Sequence, residues 1–160
     1  MRRAARIAGR ATPSLADRLR AAMNEARKQR DQARTLLLST ILSDVKNREI
    51  ELNKTPTDDE TAEVLRRGIR KRRESVEVYE KVGRTEAAAT ETAEIKALEE
   101  FLPAAVPPDE IRAAVREAIA GGAKDLGKVM GAVMPKFKGR ADGSLVNKIV
   151  REELAASNKS

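Results

Sequence analysis

The chain has 160 residues, 36% of them charged and 2% aromatic, with neither Cys nor His. That length supports one domain or two small ones. The missing residue types exclude disulfides, cysteine zinc sites, thiol nucleophiles and imidazole bases, and no apolar run approaches the roughly 18 residues of a membrane span. The formal charge of +7 suggests a polyanionic partner, but it is unevenly spread: +4 in residues 1–13, zero in 14–103 and +3 in 104–160. Local clusters therefore matter more than the total.

Residues 1–13 are Arg- and Ala-rich, acid-free and without caps, and read as a disordered basic extension. An upstream start codon would account for them as well, and a remnant of a mitochondrial transit peptide is the alternative. A first helix is expected from Ser14, with Asp17 completing an approximate capping box and Leu15, Leu19, Ala22, Met23 and Ala26 as its inner stripe. A second, about Asp31 to Leu52, turns Leu38, Ile41, Leu42 and Val45 inward, widened by Leu37. Thr57 and Glu60 form another capping box, opening a third helix that runs to Val82 and stops at Gly83. The fourth spans about Thr85 to Phe101, burying Ile95, Leu98 and Leu102, and Pro103 stops it. The proline-rich stretch Leu102 to Pro108 marks a domain boundary.

Beyond it, a fifth helix covers about Asp109 to Ala120 and ends at Gly121-Gly122. A sixth covers about Lys124 to Met134, with Val129, Met130, Val133 and Met134 on one face. Gly127 and Gly131 share another, where a neighbouring backbone could come close. Pro135 is expected to end this helix, leaving Lys136 to Arg140 as an exposed basic loop. Asp142 then caps a seventh helix, about Ser144 to Leu154. No segment alternates with period two. The fold class is all-α, an N-terminal four-helix unit (14–103) followed by a smaller three-helix unit (104–160).

Three clusters invite a chemical reading. Gly122 to Val129 satisfies part of a phosphate loop, but Val129 stands where a Mg²⁺-binding hydroxyl belongs and a helix precedes it; a helix stop and restart is the simpler reading. Arg66, Arg70 and Arg73 share one face of the third helix. They could contact phosphates, or form a solvated face balanced by Glu63, Glu74 and Glu77. Asp58-Asp59-Glu60 suits a helix N-terminus, and Glu99-Glu100 suits pairing with a basic neighbour. Neither acidic cluster carries a metal-ligand set, so no catalytic residue, metal or cofactor is expected. The sharpest candidate is the basic turn: Lys136, Lys138 and Arg140 at its centre, Lys128 and Lys148 at its edges. Phe137 could stack on a base, though its simpler role is to anchor the turn to the core.

The stretch Leu126 to Gly143 (LGKVMGAVMPKFKGRADG) resembles the signature of the YqeY family and of the related tail domain of the GatB subunit of tRNA-dependent amidotransferases. Asp44 to Glu51 (DVKNREIE), Tyr79 to Arg84 (YEKVGR) and Glu99 to Pro103 (EEFLP) resemble further family segments in the same order. The likeness covers about Leu15 to Leu154. Val82 and Phe101 stand where Ala and Tyr are usual.

The resemblance implies the same two-unit helical division, a location in the cytoplasm, tRNA as partner, and a possible neighbour in an aminoacyl-tRNA synthetase or amidotransferase subunit. It also carries the label of a carbon–nitrogen ligase with glutamine as amido-N-donor, but no residue here supports that chemistry. The expectation is a tRNA-binding module without catalysis of its own. The alternatives are a component of such a ligase and a protein-interaction module without RNA binding.

Overall fold

A computed structural model of the chain describes residues 12–159; the extension expected over 1–13 lies outside them, apart from its last two residues. The described residues form seven helices and no strand: α1 Leu15–Lys28, α2 Gln32–Leu52, α3 Asp58–Lys81, α4 Thr85–Glu99, α5 Pro108–Ala120, α6 Leu126–Phe137 and α7 Gly143–Ser157. The all-α expectation holds.

Helix starts follow local side-chain chemistry. Ser14 Oγ accepts the Asp17 N–H at 3.1 Å, and Asp31 accepts that of Arg34 at 3.0 Å. At α3 the capping box is reciprocal: Thr57 Oγ1 accepts the Glu60 N–H at 3.2 Å while Glu60 Oε1 accepts the Thr57 N–H at 3.1 Å. That backbone N–H is the chief reason the Glu60 carboxyl titrates below its usual value. Between α5 and α6, Gly122 adopts φ +110° and the Ala123 N–H reaches back to the Ala118 carbonyl at 3.1 Å, closing a Schellman turn that favours glycine. Asp125 then caps α6, accepting the Lys128 N–H at 2.9 Å. The partial phosphate-loop match is thus a helix stop and restart.

The described residues divide into two compact units, one up to Val64 and one from Leu65, with the division inside α3. In the first, α1 and α2 pack on each other. Leu19, Leu38 and Ile41 are fully buried, each worth about 1.5–3 kcal/mol relative to exposure. The Leu15 N–H donates to Asp58 at 2.9 Å, joining the start of α1 to the first turn of α3.

In the second unit, α5, α6 and α7 each pack on the other two. Ile111, Val115, Val129, Val133, Phe137, Val146, Ile149 and Val150 form their shared core. Val106, from the proline-rich stretch, is buried in the same core. Arg72 binds Glu94 at 2.9 Å and Arg73 binds Glu99 at 3.2 Å, linking α3 to α4. Buried Glu153 of α7 accepts from both Arg112 (2.8 Å) and Arg116 (2.9 Å) of α5. Chiefly Arg116, then Arg112, holds its carboxyl below the usual range.

Two local expectations need correction. Pro135 lies inside α6 rather than ending it, and the helix continues to Phe137. A proline removes one N–H and crowds the carbonyl four residues back. Here that residue is Gly131, and nothing outside the helix's own backbone stands within 4 Å of a Cβ built there. Burial of Phe137 to 3% exposure rewards the extra turn. Gly127 and Gly131 do not admit a neighbouring backbone: nothing but the helix's own Asp125 carboxylate comes near the first, and nothing the second.

Candidate nucleic-acid interface

The C-terminal end of α6 and the turn after it carry Lys136, Lys138 and Arg140. Lys136 is in the last turn of α6, and Lys138 is its C-cap in extended backbone. Gly139 follows at φ +76°, a conformation glycine adopts without a Cβ penalty. It reverses the chain so that the Arg140 and Ala141 N–H groups return to the Phe137 carbonyl at 2.8 and 3.0 Å. The "loop" is thus a helix end plus a tight turn. Phe137 is its anchor in the core rather than a free stacking surface, and the Arg140 guanidinium lies 5.8 Å from its ring centroid. Arg140 also donates to the Lys136 carbonyl at 2.9 Å.

Lys136, Lys138 and Arg140 are all exposed. Lys128, two turns earlier, is exposed and 3.9 Å from Asp125, so its charge is partly opposed. Lys148 is exposed on α7. The turn gathers the first three by chain adjacency; Lys128 lies in the first turn of α6, at the other end of that helix, and Lys148 in the second turn of α7.

Asp142 is the single acid between Leu126 and Gly143, and it is turned toward α3. Arg70 Nη1 donates to both its oxygens at 2.8 Å, and Oδ1 accepts the Ser144 N–H at 2.9 Å, capping α7. Burial alone would raise its pKa. The Ser144 N–H and the Arg70 guanidinium outweigh that and hold the carboxyl below the ordinary aspartate value.

The α3 arginines are placed differently. Arg66 is 8% exposed and donates to the Gly139 carbonyl at 2.8 Å. Arg70 is committed to Asp142 and Arg73 to Glu99. These carboxylates lie on other elements, not at Glu74 or Glu77 of the same helix. The Arg70–Asp142 pair and the Arg112–Glu153–Arg116 cluster escaped sequence reading because no local spacing signals a bond across 72 or 41 residues. Among the described residues no group of acids could hold a metal ion, and no helix is long and apolar enough to cross a membrane.

The class these features define is an all-helical protein with a basic turn fixed by its own core. The sequence profile of the Yqey-like protein family matches residues 16–154, and the chain belongs to that family. Comparison with curated proteins gives no match.

Proposed function

We propose that the chain is a cytoplasmic tRNA-binding helical module without catalysis of its own, working alone or beside an aminoacyl-tRNA synthetase or amidotransferase subunit. Lys136, Lys138 and Arg140 form the centre of contact, with Lys128 and Lys148 at its edges. The observation that carries the placement is Asp142: the one acid of the stretch is engaged by Arg70 and Ser144, so it does not cancel the cations beside it. The choice of tRNA rests on the resemblance to the GatB tail domain. Lys and Arg in such a turn act on phosphates and give affinity with little sequence choice.

Photo-crosslinking of the full chain to tRNA tests this. Crosslinked peptides should come from residues 124–148; crosslinks confined to α3 would move the site there. A second reading, a protein-interaction module, is favoured by Val78 and Val82, one helical turn apart and 58% and 65% exposed. Partner capture with no tRNA crosslink would support it. ATP-dependent amide formation from glutamine by the chain would support the ligase component instead.

A further inference from the structure

Within the second unit, α3, the stretch after α4 and the α6–α7 turn enclose a cleft of about 430 Å³. Its floor is aliphatic, made by Ile69, Leu102, Val106 and Leu145. No aromatic side chain lines it, so it offers no stacking platform for a nucleobase. Charges of both signs reach the rim, but they are not equally available. Asp142 has both oxygens on Arg70 and one also on the Ser144 N–H. Glu99 accepts from Arg73 at 3.2 Å. A guanidinium, by contrast, carries five N–H donors. Arg73 spends one on Glu99 and its side chain is 60% exposed. Arg140 spends one on the Lys136 carbonyl and is exposed. The unspent groups at the mouth are mainly cationic donors above an apolar floor, with Glu99 Oε2 the one unengaged carboxylate oxygen beside them.

We propose that this cleft binds a small aliphatic carboxylate, its chain on the Ile69–Leu102–Val106–Leu145 floor and its carboxylate held by Arg73 and Arg140. A volume of this size lies in the range of small-molecule sites, which pair an apolar lining with a few polar groups. The charge-assisted pairing favours the anion over an amide of the same shape. The site shares Arg140 with the proposed RNA surface, whereas Arg73 and the exposed Ala105, which also lines the cleft, lie outside the basic turn.

The test is calorimetric and NMR titration of the full chain with octanoate, octanamide and butanoate. Octanoate should saturate one site, shifting resonances of Ile69, Val106 and Leu145. Octanamide should bind about tenfold more weakly, the factor expected when one charge-assisted hydrogen bond is missing, and butanoate more weakly because it covers less of the floor. Arg73→Gln should weaken octanoate about as much as the amide does, and Ala105→Trp, which fills the cleft from its exposed edge, should abolish binding. Equal affinity for octanoate and octanamide, no saturable binding, or unchanged affinity in both variants would overturn the proposal. Loss of octanoate binding in Arg73→Gln with tRNA crosslinking intact would separate this site from the RNA surface.

Discussion

Two stretches of this chain look equally basic: Arg66 to Arg73 of α3, and Lys136 to Arg140 at the end of α6. In the folded protein they differ in what faces them. Arg70, Arg72 and Arg73 meet Asp142, Glu94 and Glu99, and Arg66 is buried against the Gly139 carbonyl. At the turn, the nearby acid is turned toward α3 instead. The α3 arginines thus neutralise the turn's only acid, and one basic stretch helps keep the other basic. Cation density by itself does not mark a binding surface; the placement of the carboxylates decides.

The largest expected effect falls on the platform of the turn. Phe137→Ala should cost about 3–5 kcal/mol, the range for a buried Phe, in a denaturant melt, whereas Lys136→Ala should stay within about 0.5 kcal/mol. Equal effects would mean that the turn is not anchored as described.

Separating the two stretches comes next. The 104–160 segment contains α5, α6 and α7 with their shared core, but it lacks Arg66 and Arg70. About 55 residues is near the lower limit for a lone core. The isolated segment should be helical by circular dichroism yet melt below the full chain. An unfolded segment would show that its core needs α3, and an equal melting point would show that the arginine bonds contribute nothing.

Asp142→Ala removes both a helix cap and the partner of the half-buried Arg70. It should cost about 1–3 kcal/mol without weakening tRNA binding, since the turn's cations remain. A fall in affinity would mean that Asp142 orients the bound RNA rather than merely standing clear of it.

A smaller effect appears in acid. Asp142 and Glu153 both titrate below their ordinary values in the folded chain, so the unfolded chain takes up protons first as pH falls. Their stabilising contribution is fully present above the unfolded carboxylate values of about 4 and is lost below that, through the lowered folded values. Thermal melts from pH 6 down to pH 2 should show this decline, and Asp142→Asn should flatten part of it. An unchanged acid limb in that variant would show that the Arg70 pairing does not stabilise the fold.

What was legible in the sequence was local. Ser14, Asp31, Thr57 with Glu60, and Asp142 announce helix starts because a cap bonds only two or three residues away. Gly83 and Gly122, both at positive φ, announce stops. Inner faces followed from spacing, and Val129, Val133, Val146 and Ile149 are buried as their periodicity requires. The misreadings came where a distant partner outweighs a local preference. Pro135 does not end α6 because Phe137, two residues on, gains a place in the core. The α3 arginines could be weighed only against neighbours on their own helix, while several partners lie on other elements. Arg30, at φ +59° where glycine is usual, gave no signal at all.

The most direct measurement is a salt titration of tRNA binding by three forms of the full chain. These are the wild type, the Lys136→Ala/Lys138→Ala/Arg140→Ala variant, and the Arg66→Gln/Arg70→Gln/Arg73→Gln variant, with circular dichroism confirming that each is folded. Removing one cation that pairs with a phosphate should lower the slope of log K against log[salt] by about 1. The turn variant should therefore show a slope smaller by about 2–3 and lose most of its affinity at low salt, while the α3 variant keeps the wild-type slope and loses only the affinity that the unneutralised Asp142 charge costs. The reverse pattern, an unchanged turn variant and a flattened α3 variant, would contradict the account.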